Sequence, residues 1–204
     1  MSARSSASKL LVATTNPDKL REIGELLVDV PVQLMTLRDL PPLAEPEETG
    51  ETFEENARLK ARHYAAHAPW MTVAEDSGLV IDALDGEPGV RSARFVRPDA
   101  SYPERFEEIE RRLAAHPARP RTARFVCALA VVQGDQVVFE TRGVVEGEIV
   151  RAARGAAGFG YDPIFYYPPY EATLAEVTAP QKLAVAHRGH AFRALAAWLA
   201  RLPG

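Results

Sequence analysis

The apolar positions change period along this chain, and each change marks an element. Leu10-Leu11-Val12-Ala13 is an unbroken apolar run that predicts a buried strand over 9–14. Behind it Leu20, Ile23 and Leu27 recur at helical spacing. Asn16 stands where an N-cap belongs, and Pro17 where a first helical residue belongs. A second strand is expected over 32–37, followed by a proline- and acid-rich loop over 39–49. Thr52 and Glu55 make a capping-box pair and open a helix with Phe53, Ala57, Ala61 and Ala65 on one face. Asn56, Lys60, His63 and His67 share another stripe of that helix, and a solvated face is the reading preferred for the two histidines.

The middle of the chain reads as two short apolar strands on either side of Glu75-Asp76-Ser77. A loop rich in glycine and arginine follows over 82–98, then a helix over 102–115. Residues 124–133 and 136–145 predict a hairpin over the Gly134-Asp135 turn. Cys127 sits inside its first strand, where a buried inert thiol is the default. The glycine-rich stretch 155–163 is no dinucleotide fingerprint, because Pro163 and Ile164-Phe165-Tyr166-Tyr167 leave no helix behind it. A last helix, with Phe192, Leu195 and Leu199 on its apolar face, starts after His187-Arg188-Gly189.

Composition narrows the classes. A chain of 204 residues without repeats, low-complexity tracts or linkers fits a single domain over 9–204, with the small polar residues 1–8 as a disordered tail. The net charge of −4 argues against nucleic acid as a partner but allows a local basic pocket for a small anion. The one cysteine rules out an internal disulfide and a cysteine-based zinc site, and it suits a reducing cytoplasm. The run at 10–13 is too short for a signal peptide or a membrane span, so no membrane partner is expected.

Three stretches carry candidate chemistry. Glu75 and Asp76 stand between apolar segments with no lysine or arginine beside them in sequence. Burying such carboxylates costs several kcal/mol unless a cation compensates. A divalent metal would do so, since magnesium prefers carboxylate oxygens; a solvated acidic turn is the alternative. The junction Thr14-Thr15-Asn16-Pro17-Asp18-Lys19 points free N–H groups and a positive dipole end at whatever lies above it, usually phosphate, or else it is a well-capped turn with a surface lysine. In the glycine-rich stretch the backbone can approach a flat ligand while Phe159 offers a stacking face; a plain turn between strands is the other reading.

Taken in order, these segments resemble the Ham1/RdgB-like family of inosine triphosphate pyrophosphatases. The resemblance rests on Ala13 to Lys19, Glu47-Glu48-Thr49-Gly50 with Glu54, Asn56, Ala57, Lys60 and Ala61, and Glu75-Asp76-Ser77-Gly78-Leu79. It continues through Pro88-Gly89-Val90 with Ser92-Ala93-Arg94, Gly158-Phe159-Gly160-Tyr161-Asp162-Pro163, and His187-Arg188-Gly189. Thr15 and Asp18 stand where glycine is frequent and Glu75 where aspartate often stands; the first two add bulk and charge near the expected phosphates.

The resemblance implies an α/β fold, with an elongated mixed sheet, flanking helices and two lobes around a nucleotide cleft. It implies a cytoplasmic homodimer that hydrolyses inosine, deoxyinosine and xanthosine triphosphates to the monophosphate and pyrophosphate with magnesium. Glu47 or Glu48 would hold the metal with Asp76, and Asp76 would be the central catalytic group. Thr14, Thr15, Asn16, Pro17, Asp18, Lys19, Lys60 and Ser77 would bind substrate, with Asn16, Lys19 and Lys60 on the triphosphate tail. Phe159, Gly160, Tyr161, Asp162, Lys182, His187 and Arg188 complete the substrate set. Lys182 would lie nearer the nucleoside, and His187 and Arg188 would donate to the 6-oxo group that adenine lacks. Another phosphohydrolase activity, or a non-catalytic nucleotide-binding regulator, is the alternative.

Overall fold

The computed structural model describes residues 8–202. Its strands are β1 (Ser8–Val12), β2 (Val32–Thr36), β3 (Met71–Ile81), β4 (Thr122–Gln133), β5 (Gln136–Ile149), β6 (Phe165–Tyr167) and β7 (Ala172–Thr173). Among the described residues they form one sheet in the order β2-β1-β3-β4-β5-β6-β7. β1 runs parallel to both β2 and β3, whereas β5, β6 and β7 pair antiparallel, so the sheet is mixed, as expected. The helices are α1 (Pro17–Leu26), α2 (Phe53–Ala65), α3 (Tyr102–Ala114), α4 (Ala179–Val185) and α5 (His187–Leu199).

The chain gathers into two compact units. One takes the residues up to Asp76, Cys127–Gly143 and those from Arg188 onward; the other takes Ser77–Val126 and Val144–His187. The core of the first packs Val73, Cys127, Leu129 and Val131 against Ile23 of α1, Leu27 at its C-cap, and Ala191, Phe192, Leu195 and Leu199 of α5. The core of the second gathers Leu79, Ile81, Ile109, Phe125, Ile149, Tyr161 and Phe165. Both follow the sequence periods: alternate strand positions and the expected helical stripes turn inward.

Three readings change. The stretch expected as two strands around an acidic turn is one continuous eleven-residue strand, β3, with Glu75 and Asp76 in its interior. Both carboxylates find partners there, so nothing forces the backbone out to solvent. Secondly, α4 had no counterpart in the sequence reading. Its Thr178–Gln181 capping box and Pro180 were the available signals, in a helix of seven residues that is too short to show a period. Thirdly, β4 and β5 extend beyond the expected hairpin strands. Of the tail expected at 1–8, all but Ser8 lies outside the described residues, and Ser8 opens β1.

Candidate active site

In the first unit, register brings the site together. Leu10, Leu11 and Val12 lie opposite Met71, Thr72 and Val73, and Ala13 N donates to Val73 O at 2.8 Å. The turn after β1 therefore opens beside Glu75 and Asp76. Asn16 caps α1 as expected, its Oδ1 accepting from Asp18 N at 2.9 Å and Lys19 N at 3.1 Å. Two of the free N–H groups expected at this helix start are thus bonded to the cap. What the turn presents instead is the Lys19 ammonium, 2.9 Å from Glu75 Oε1. Thr15 and Pro17 are exposed, Thr14 is half-buried, and Asp18 is paired with Arg21 at 2.9 Å.

Alternation along β3 sends its two carboxylates to opposite faces of the pleat. Glu75, on the α1 and α5 side, is 4% exposed. Its Oε1 accepts from Arg188 Nη2 at 3.1 Å as well as from Lys19, and Cys127 Sγ lies 3.4 Å from Oε2. Arg188 also reaches Glu22 Oε2 at 2.7 Å, completing a chain of the buried Glu22, Arg188 and Glu75 and the half-buried Lys19. Burial alone would raise the Glu75 pKa; Arg188, Lys19 and Lys60 outweigh it and hold the carboxyl well below the usual range.

Asp76 faces α2. Its Oδ2 accepts from Asn56 Nδ2 at 3.1 Å, and Oδ1 lies 3.2 Å from Lys60 Nζ. Lys60 also reaches Glu48 Oε1 at 2.8 Å, so one ammonium draws together two carboxylates from distant segments. Asn56 anchors the Glu48 loop as well, its Oδ1 accepting from Gly50 N at 2.8 Å. A side chain at Gly50 would meet that oxygen at 2.7 Å. Here burial wins: with the Glu48 charge adding to it and Lys60 only partly offsetting it, the Asp76 pKa is raised above the ordinary aspartate value. Lys60 is also raised, because Asp76, Glu48 and Glu75 together outweigh its burial, which would lower it. Glu47, the alternative to Glu48, is exposed and forms no ion pair among the described residues.

In the second unit, the glycine-rich loop closes on Asp162. Oδ2 of Asp162 accepts from Phe159 N at 2.8 Å and from Lys182 Nζ at 2.6 Å, both side chains being buried. Gly158 has φ +71°, and a Cβ there would sit 2.2 Å from Asp162 Oδ2, so only glycine permits this turn. Lys182 Nζ stands 4.4 Å from the centroid of the half-buried Phe159 ring. Gly160 has φ +69° and is half-buried. Tyr161 is buried, with its hydroxyl on Ser92 O at 2.8 Å. His187 is 6% exposed and stacks on Phe125 at 4.9 Å. Ser77 is half-buried and follows Asp76 on β3.

Two residues of the expected substrate set are buried. The Arg188 guanidinium, 1% exposed, donates to Glu75 and Glu22 of the first unit. Tyr161 is 4% exposed. Conversely, Asn56 beside Asp76, and Glu22 and Cys127 in the Glu75 network, had not been assigned a site role, and Glu75, expected to face a metal, faces Lys19 and Arg188. For Asn56 the signal was its shared stripe with Lys60; for Glu22 no local signal existed.

The Ham1 family model matches residues 10–198 of this chain. A dITP/XTP pyrophosphatase of Bacillus cereus is 43% identical over 192 residues, covering 93% of this chain and 94% of that protein. A protein of the same name from Exiguobacterium sibiricum is 43% identical over 96% of this chain and 99% of its own length. Among solved structures, a HAM1 protein from Coxiella burnetii superposes with a TM-score of 0.88 at 38% identity, covering 96% of this chain and 100% of that one.

Proposed function

This chain belongs to the Ham1 family, and on that premise we propose that it hydrolyses non-standard purine nucleoside triphosphates, those of inosine, deoxyinosine and xanthosine, to the monophosphate and pyrophosphate. The observation that carries the reading is the pairing of unlike carboxylates on β3. Glu75 is held ionised and spent on cations, whereas Asp76 has its proton affinity raised beside Lys60.

The parts divide the work. Lys19 and Lys60 supply two ammonium groups for a tail with up to four negative charges, as charge-assisted donors worth roughly 1.5–3 kcal/mol each. Asp76 accepts the proton of the attacking water as the bond between the α and β phosphates breaks; its raised pKa makes it a better base at neutral pH than an ordinary aspartate. Asn56 and Lys60 hold one Asp76 oxygen each and so fix the carboxylate plane. In the second unit Phe159 is the stacking face for a purine, with Lys182 and Asp162 steadying its loop. His187, its ring fixed against Phe125, is the remaining side-chain donor assigned to the 6-oxo group.

The residues present fit a magnesium ion. Glu48 and Asp76 already converge on one cation, the Lys60 ammonium. Magnesium is commonly held through one or two carboxylates and keeps its other positions for water and phosphate oxygens. Glu48 and Asp76 would hold it, and when bound it neutralises phosphate charge and withdraws electron density from the reacting phosphorus. A homodimer in the cytoplasm is the family expectation for the assembly, and sedimentation equilibrium tests its mass. No described helix is long and apolar enough to cross a membrane.

The test is product analysis over a panel of nucleoside triphosphates with magnesium. Pyrophosphate is expected from inosine, deoxyinosine and xanthosine triphosphates; release of orthophosphate, or a preference for adenosine triphosphate, sinks the reading. In the same assay Asp76→Asn keeps the shape and removes the base, so kcat falls by on the order of 10²-fold or more. Near wild-type turnover in a folded variant removes Asp76 from its role.

A further inference from the structure

The second unit buries an arginine with no acidic partner. Arg105, on α3, is 4% exposed and forms no ion pair among the described residues, and its Nε has no hydrogen-bond partner there. A buried cation without a counter-charge is costly, so it persists only where its geometry serves a purpose. Its donors go to two backbone carbonyls: Nη2 to Pro98 O at 3.3 Å and Nη1, more weakly, to Ser92 O at 3.5 Å. The guanidinium lies 5.0 Å from the centroid of the Tyr102 ring. Only a planar fork of donors spans two carbonyls in this way.

Those two carbonyls bracket a strained segment. Val96 has φ +72°, a region that β-branched residues almost never enter unless their surroundings hold them there. Phe95 beside it is buried, and Val96 itself is exposed. Ser92 O is also the acceptor for the Tyr161 hydroxyl at 2.8 Å, and the Tyr161 ring meets Tyr102 edge-on at 5.3 Å. The position a Cβ of Gly160 would take is 3.6 Å from the Tyr102 hydroxyl. Arg105, Tyr102 and Ser92 thus form the underside of the Phe159-Gly160-Tyr161 turn.

We propose that Arg105 is a positioning residue for base binding: by tying Ser92 O and Pro98 O it holds the 92–98 segment in its strained form, and through Tyr161 it sets the Phe159 platform. The inference rests on the reading of Phe159 as the stacking face. It concerns base affinity and not the chemistry assigned to Asp76.

Arg105→Met keeps the length of the side chain and removes every donor. The expected result is a rise of about tenfold in KM for inosine triphosphate with kcat within about twofold, while the inhibition constant of inorganic tripolyphosphate, which has no base, does not move. Hydrogen exchange should quicken in peptides covering 92–98 and 158–162 and stay unchanged over 14–27 and 53–65. Should Arg105→Met fail to fold, Tyr161→Phe removes one hydroxyl from the same carbonyl and must raise KM in the same selective way. An unchanged KM, or an equal loss of tripolyphosphate binding, overturns the proposal, because either outcome makes Arg105 a general packing residue. Wild-type protein that does not turn over inosine triphosphate defeats the functional reading instead, and the exchange comparison then decides the positioning claim alone.

Discussion

At the scale of single residues, Glu75 and Asp76 are neighbours of the same charge whose environments push their proton affinities apart. The cause is the partner set on each face of the strand. Glu75 meets Arg188 and Lys19, whereas Asp76 shares one lysine with Glu48. A pair divided in this way is how a site obtains one fixed anion and one usable base. The same contacts make Arg188 a stability residue. Arg188→Met leaves Glu22 and Glu75 buried without their shared cation, and loss of a buried partner costs about 3–5 kcal/mol. Urea unfolding should show a destabilisation of that order, partly recovered by adding Glu22→Gln. A change below about 1 kcal/mol would mean that the network is solvated and contributes little.

At the scale of elements, caps and turns decide where side chains are delivered. α3 begins with Ser101 as N-cap and Glu104 as its reciprocal partner, and Glu104 also takes Arg97. The Arg97 guanidinium and the Ser101 backbone hold the Glu104 carboxyl down to about 2, from an ordinary glutamate value of 4.5. A folded-state pKa below the unfolded one means that the stabilisation is present in full above about 4.5 and is lost as pH falls toward about 2. Glu104→Gln should therefore lose stability at neutral pH and show a flatter dependence on acid between those limits, followed as urea midpoint against pH. Parallel curves for the two proteins would show that the interaction contributes nothing. The Asn16 cap, the Thr52 capping box and the hairpin turn were legible in sequence because each depends on residues within four positions. The sequence pattern divides β3 into two strands because acidic residues rarely occupy a strand interior unless distant partners compensate them, and those partners come from α1, α2 and α5.

At the scale of the whole molecule, the metal is expected to serve chemistry and not the fold. Lys60 already bridges Glu48 and Asp76 and offsets part of their charge, and Glu48 is only half-buried, so the fold does not depend on a divalent ion to hold these carboxylates. Chelation with EDTA should abolish pyrophosphate release while moving the thermal midpoint, compared with magnesium and no nucleotide, by less than about 2 °C, which is below roughly 1 kcal/mol for a chain of this size. A fall of more than about 5 °C would instead make the ion a structural component. The mixed sheet orders this arrangement: parallel pairing of β1 with β3 sets the Lys19 turn against Glu75, and the first unit's core then packs α1 and α5 over the same face.

What the sequence determined by itself was local or patterned. It carried the strand and helix periods, the caps, the glycine-rich stretch around Phe159, and a run of motifs whose order points to one family. A period of 2 or 3.6 and a cap-to-helix spacing are properties of neighbouring residues, so they survive without coordinates. Tertiary structure decided which charges meet. That Glu48 and not Glu47 shares a lysine with Asp76, that Arg188 turns to Glu22 and Glu75, and that Arg105 is buried beneath the Tyr161 turn were settled there; the direct side-chain bonds of the first two span 12, 16, 113 and 166 positions of chain. Spacing in sequence carries no record of such pairs, because side-chain direction in a folded core is set by register and packing, which only the assembled sheet and its helices supply.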